Sequence, residues 1–168
     1  DQMGYQEISV ADARALVPIL NPEVVAYAGL SEHAEDIDTD RLIQSFAREA
    51  KARGAQILTR ARVTAIAKDA AGWRVDSAAG SFSARMVVNA AGAWVDKVAE
   101  MAGVQPLGFT PLRRSMARIP APAGHDVSRW PMIFGPREDW YAKPDAGALI
   151  VSPAEEDLLE PHDAWADD

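Results

Sequence analysis

The spacing of the side chains whose types do chemistry narrows what they can do. The three histidines, His33, His125 and His162, stand far apart, and none has a second His at ligand spacing. A metal site or nucleophilic triad would therefore have to be assembled from sequence-distant residues; no residue is assigned a catalytic or metal-binding role. Cysteine is absent, which removes thiol nucleophiles, Cys-ligated zinc, iron–sulfur clusters and disulfides. Asp36, Asp38 and Asp40 imitate the start of a calcium loop. The Gly required at its sixth position is Arg41, and the Glu at its twelfth is Ala47, so the run reads as an acidic helix entry. The 11 glycines never fall as Gly-x-Gly, so neither a dinucleotide fingerprint nor a Walker loop lies in the chain. Glu155-Glu156-Asp157 reads as a solvated loop, with acid–base work as its alternative.

Two features carry more. One is a strand, Asn89-Ala90-Ala91-Gly92, then a helix. Small residues at the end of a buried strand let a backbone or a cofactor approach closely, and helix amides there can face an anion. The same spacing serves a tight crossover without a ligand. The other is Trp140-Tyr141 in an apolar hairpin, where a phenol can orient a polar substrate or be buried with its hydroxyl satisfied.

The elements that must position these residues follow from period and punctuation. Ser9 and Asp12 start a short helix that runs to Val17 and is blocked by Pro18. Asn21-Pro22 marks a turn, and 24–30 reads as extended. Asp38 caps the clearest helix, whose apolar stripe is Leu42, Ile43, Phe46, Ala47 and Ala50, with Gly54 at its end. Glu49 and Arg53 can pair one turn apart. Strands are predicted at 56–59, 63–67, 73–76, 81–84 and 85–88, with Ala71-Gly72 and Ala79-Gly80 at turns. Met86-Val87-Val88 has the continuous apolarity of a strand buried on both faces. A second helix spans about 93–101, closed by Gly103. Later strands are predicted at 114–119, 132–134, 140–143 and 148–151, the last two forming a hairpin across Pro144-Asp145-Ala146-Gly147. The fold class is α/β, with a mixed second half.

With 168 residues and 48% hydrophobic content, the chain can bury roughly two-thirds of its unfolded surface without disulfide or metal. Lys and Arg number 17 against 25 Asp and Glu, a net charge of −8, which argues against nucleic acid or anionic membrane as a partner. No apolar run approaches the ~18 residues needed to span a bilayer, and the first residues lack a signal-peptide pattern. A cytoplasmic protein is expected. Asp1 is not an initiator Met, and His162 to Asp168 reads as the first turn of a helix after Pro161, so a piece of a longer protein is expected.

Taken in order, certain segments resemble the middle of an FAD-dependent amine or amino-acid oxidoreductase of the D-amino-acid oxidase, glycine oxidase and sarcosine oxidase group. They are Ile37-Asp38-Thr39-Asp40-Arg41-Leu42, Ala50-Lys51-Ala52-Arg53-Gly54-Ala55-Gln56-Ile57, Arg62-Val63-Thr64-Ala65-Ile66, Gly72-Trp73-Arg74-Val75 and Val87-Val88-Asn89-Ala90-Ala91-Gly92-Ala93-Trp94. The resemblance covers nearly the whole chain, more loosely after Pro111. It implies the central part of an FAD-binding domain over 1–110, with its β-meander, and part of an antiparallel substrate-domain sheet over 111–168. It further implies that the backbone of Val63 contacts the adenine end of FAD, that Ala91 and Gly92 lie against the dinucleotide, and that Trp94 packs nearby. Tyr141 matches an active-site tyrosine of glycine-oxidase-like members and is the implied substrate-binding residue.

The family's Gly-rich phosphate loop, its ribose-binding acid and its carboxylate-binding Arg fall outside this sequence. FAD is thus implied for the full protein and expected to be absent from this chain alone, which by itself should not be a working enzyme. The implied reaction oxidises the C–N bond of a small amine or amino acid by hydride transfer to flavin. The alternatives are a 2-hydroxy-acid flavin dehydrogenase of the same fold and a non-catalytic binding module retaining it.

Overall fold

The computed structural model of the chain describes residues 4–164. In order, its elements are β1 (Gln6–Ile8), α1 (Val10–Leu16), β2 (Ala28–Leu30), α2 (Thr39–Ala52), β3 (Val63–Asp69), β4 (Gly72–Ser77), β5 (Gly80–Ala84) and α3 (Val95–Met101). There follow β6 (Leu112–Arg113), β7 (Ala117–Pro120), β8 (Ile133–Phe134), β9 (Tyr141–Asp145), β10 (Ala148–Ser152) and β11 (Asp157–Leu158). Two compact units result: Asp1–Asp36 with Leu112–Asp157, and Ile37–Pro111 with Leu158–Asp168. The partition expected from sequence, 1–110 and 111–168, places both the first 36 residues and those from Leu158 onward differently. The first 36 group with the later sheet because Val17, at the end of α1, is buried among Val127, Trp130 and Leu149.

In the first unit, Ser9 caps α1 as its spacing requires: Oγ accepts from the Asp12 amide at 3.1 Å and donates to the Asp12 carboxylate at 2.6 Å. The extended stretch expected over 24–30 is shorter in the structure, because Asn21 Oδ1 accepts from the Glu23 amide at 3.0 Å and holds a turn there. Only β2 remains, paired with β1, a strand the sequence pattern did not announce. The main sheet has the order β7-β10-β9-β8 and is antiparallel throughout. Its hairpin turn is Ala146-Gly147, both at positive φ (46° and 80°), the geometry whose twist matches a two-residue β-hairpin. The core of this unit is Val17, Val127, Trp130 and Leu149, with Leu20, Ala121, Ile133 and Val151 packed against it.

In the second unit, Asp38 Oδ1 accepts from the Arg41 amide at 2.9 Å to start α2. Gly54, at φ +88°, ends it while Ala55 N donates back to Ala50 O at 3.0 Å. Glu49 and Arg53 pair at 2.8 Å on the surface. The meander β3-β4-β5 forms with two-residue turns. Asp69 Oδ1 accepts from the amides of Ala71 and Gly72 at the first turn. A Cβ on Gly72 would strike the Ala84 carbonyl and Arg85 Cα, so the close approach of β4 to the end of β5 requires glycine.

Two predicted strands are absent. Residues 56–59 and 85–88 carry no ladder, and Met86 and Val88 are 76% and 79% exposed rather than buried on both faces. A strand needs a neighbour for its amides and carbonyls, and no described segment pairs with either. The stripe of α2 stays open for the same lack of cover: Leu42, Ile43 and Phe46 are exposed. The second helix is shorter than expected, a 3-10 turn over Gly92–Trp94 leading into α3. The helix expected after Pro161 lies largely in 165–168, outside the described residues. Among those described, no helix is long and apolar enough to cross a membrane.

Leu149 is 5% exposed at the centre of the first core. Leu149→Ala should therefore lower unfolding free energy by about 2–5 kcal/mol, read as a shifted urea midpoint with an unchanged slope.

Candidate functional site

Directly opposed residues of an antiparallel ladder share a face, and neighbours along a strand take opposite ones. Val151 opposes both Ala117 and Ala142, and Ala142 opposes Ile133. This row, with Leu149, faces the core. Tyr141, opposite Phe134 and Ser152, must then lie on the other face, as must Lys143, Ile150 and Arg118. Phe134 is exposed, while Tyr141, Lys143 and Ile150 are half-buried. The rings of Tyr141 and Phe134 are 6.3 Å apart and tilted by 49°. Among the described residues the Tyr141 hydroxyl has no hydrogen-bond partner. Lys143 Nζ meets Asp36 Oδ1 at 2.6 Å.

Trp140, one residue before Tyr141, sits on the core side. There it lines an apolar cleft of about 500 Å³ with Met116, Ala117, Ile119 and Val151. Its carbonyl accepts from Gly135 N at 2.8 Å. Gly135 is buried, and a Cβ there would collide with the indole of Trp140 and the carboxylate of Asp139. Glycine at 135 is thus what lets Trp140 lie across the β8–β9 connection.

At the rim of this cleft the acids predicted to be a solvated loop are ion-paired. Arg113 meets Asp157 at 2.7 Å and Glu155 at 3.7 Å, and Arg114 meets Glu156 at 3.1 Å. Glu155 Oε1 accepts from the Ser115 amide at 2.6 Å, and its Oε2 is buried with no partner among the described residues. The hydrogen bonding from Ser115, with a smaller contribution from Arg113, holds the Glu155 carboxyl below its ordinary 4.5 against an opposing push from burial. The cluster was not legible from the acids alone, since their partners lie about 40 positions earlier.

In the second unit Ala91, Gly92 and Trp94 form one turn, with Trp94 N donating to Ala91 O at 3.0 Å. Asn89 fixes it: Nδ2 donates to Val95 O at 2.8 Å, and Oδ1 accepts from Ala91 N at 3.3 Å. Gly92 has φ +54° and open space where a Cβ would stand. Val63 opens β3 opposite Ser77, at a bulge that frees its ladder from strict register. Tyr141 belongs to the other unit. The bare backbone of Ala90–Gly92 fits the flank of a flat dinucleotide such as FAD, whereas no glycine-rich loop for its pyrophosphate lies in the chain. No group of three His, Asp or Glu that could hold a metal occurs among the described residues.

The described residues thus give a small-residue turn and a meander in one unit, and a separate antiparallel sheet carrying Phe134 and Tyr141 in the other. The family model described as FAD dependent oxidoreductase matches residues 2–168, and the chain belongs to that family. Human mitochondrial sarcosine dehydrogenase is 34% identical over 104 residues, covering 58% of this chain and 11% of that protein. The crystal structure of L-proline dehydrogenase from P. horikoshii shares the fold, with a TM-score of 0.72 at 21% identity, over 96% of this chain and 43% of that one. The chain thus spans less than half the length of either.

Gly135→Ala should displace Trp140, seen as a moved indole N–H resonance and altered contacts along the cleft. Because the folded Glu155 carboxyl ionises below its ordinary value, its stabilising contribution is complete above pH 4.5 and lost as pH falls through the lower folded value. Glu155→Gln should therefore flatten the acid side of the stability–pH curve below about 4.5; an unchanged curve would assign the acid loss to other carboxylates.

Proposed function

We propose that this chain is part of a flavoenzyme that oxidises the C–N bond of an amino acid or secondary amine. The observation that carries the reading is the placement of Tyr141 on the face of its sheet turned away from the core, its hydroxyl without a partner among the described residues. The similarity to sarcosine dehydrogenase supports an N-substituted amino acid among the candidate substrates. FAD, when bound, would supply hydride-accepting chemistry, so that the carbon next to nitrogen loses a hydride, two electrons with one proton. The substrate nitrogen gives up its own proton, leaving an imine that water cleaves to a carbonyl compound and an amine or ammonia. The chain's residues bind and exclude: Tyr141 orients a polar group of the substrate, Phe134 and Ile150 keep water from the sheet face, and Ala91 and Gly92 leave room for the dinucleotide with Val63 and Trp94 beside it.

The test is anaerobic reduction of the intact flavoprotein by sarcosine, glycine, proline and D-amino acids, with assay of the released amine or ammonia. Reduction by 2-hydroxy acids alone would replace this reading with hydroxy-acid oxidation. In the intact enzyme Tyr141→Phe should raise KM or slow flavin reduction by an amount equivalent to about 1–3 kcal/mol, with flavin content unchanged.

A further inference from the structure

We propose that Asn89 is a positioning residue for the cofactor: it braces the turn at Gly92 in a shape that accepts FAD, so that FAD affinity depends on a side chain acting through the backbone. The inference rests on the part of the proposed function that sets this turn against the dinucleotide. Asn89 spans the turn with both ends of its amide. Oδ1 accepts from Ala91 N at 3.3 Å, and Nδ2 donates to Val95 O at 2.8 Å. These two anchor points lie on either side of Gly92, which sits at φ +54° with open space where a Cβ would stand. Glycine has more backbone freedom to lose than any other residue. The residue that leaves room for a flat group is therefore also the one that must be held.

The second anchor is itself fixed. Asp96, next to Val95, accepts from the amides of Leu107 and Gly108 at 3.3 and 2.9 Å, which ties the start of α3 to the segment that follows the helix. Between the anchors, Trp94 N donates to Ala91 O at 3.0 Å and closes the 3-10 turn. Asn89 is exposed, as is Val88 before it, so its hydrogen bonds act on the turn rather than on a core. Where only a fraction of molecules holds the competent shape, the apparent dissociation constant is the intrinsic one divided by that fraction. Removing the brace thus costs cofactor affinity and leaves global stability nearly unchanged.

The experiment takes the intact flavoprotein and its Asn89→Ala and Asn89→Ser variants, strips each of FAD and titrates FAD back. Asn89→Ala should raise the FAD dissociation constant about 5- to 30-fold, the worth of two solvent-exposed hydrogen bonds. Asn89→Ser keeps a weaker acceptor for the Ala91 amide and loses the donor to Val95, so it should recover part of the affinity. In the apoprotein, Asn89→Ala should speed hydrogen exchange of the Trp94 amide by a similar factor, while Val75, in the meander, exchanges as before. The unfolding midpoint of the apoprotein should hardly move. Equal FAD affinity in all three proteins, or a loss of affinity matched by a fall in that midpoint, would overturn the proposal. Because the titration needs no turnover, FAD affinity that depends on Asn89 in a protein that oxidises no amine would refute the proposed reaction and leave the role of Asn89 standing.

Discussion

Leu149 and Val151 cannot be buried against Val17, Val127 and Trp130 without turning Ile150 to the opposite face. The ladder then carries that choice across the sheet. Ala142 and Ile133 follow the core, and Tyr141, Lys143 and Phe134 are turned away from it. A slip of one residue would bury the lysine and expose the leucine, which is why the register is firmly specified. The chemistry of this unit is thus a consequence of where its apolar residues go, and the first 36 residues matter to it because Val17 supplies part of the surface on which Leu149 is buried.

What was legible in the sequence is what depends on near neighbours. Ser9, Asp38, Gly54 and the turns at Ala71-Gly72 and Ala146-Gly147 depend on residues within a few positions, and each forms in the structure. What failed was what needs a distant partner. Residues 56–59 and 85–88 have strand composition, yet a strand is a property of a pair, and no described segment offers the other half. The stripe of α2 has helical period, yet its burial belongs to whatever packs on it. The ion pairs of Arg113 and Arg114 join residues about 40 apart, a separation that no local motif encodes.

The two units differ in what they expose. The second has backbone to offer: a glycine with open space beside it, a half-buried alanine, and an asparagine that holds their turn in shape. Such a surface accepts a flat group by shape and asks nothing of side-chain charge. The first has side chains to offer, a phenol and an ammonium on a sheet whose other face is occupied by its own core.

A polar face is useful for recognition only if its side chains are held still, and here the hairpin does the holding. Ala146 adopts a left-handed backbone that costs a non-glycine residue energy, and Arg118 compensates by donating to Asp145 and to both turn carbonyls. The turn fixes the pairing of β9 with β10, and that pairing fixes the positions of Tyr141 and Lys143 to within the rigidity of a strand rather than that of a loop. The other end of β9 is set by Gly135, whose missing side chain admits Trp140 and whose amide holds the Trp140 carbonyl. Arg118 and Gly135 thus act on the same strand from its two ends: each secures one end of β9, on which the phenol and the ammonium stand.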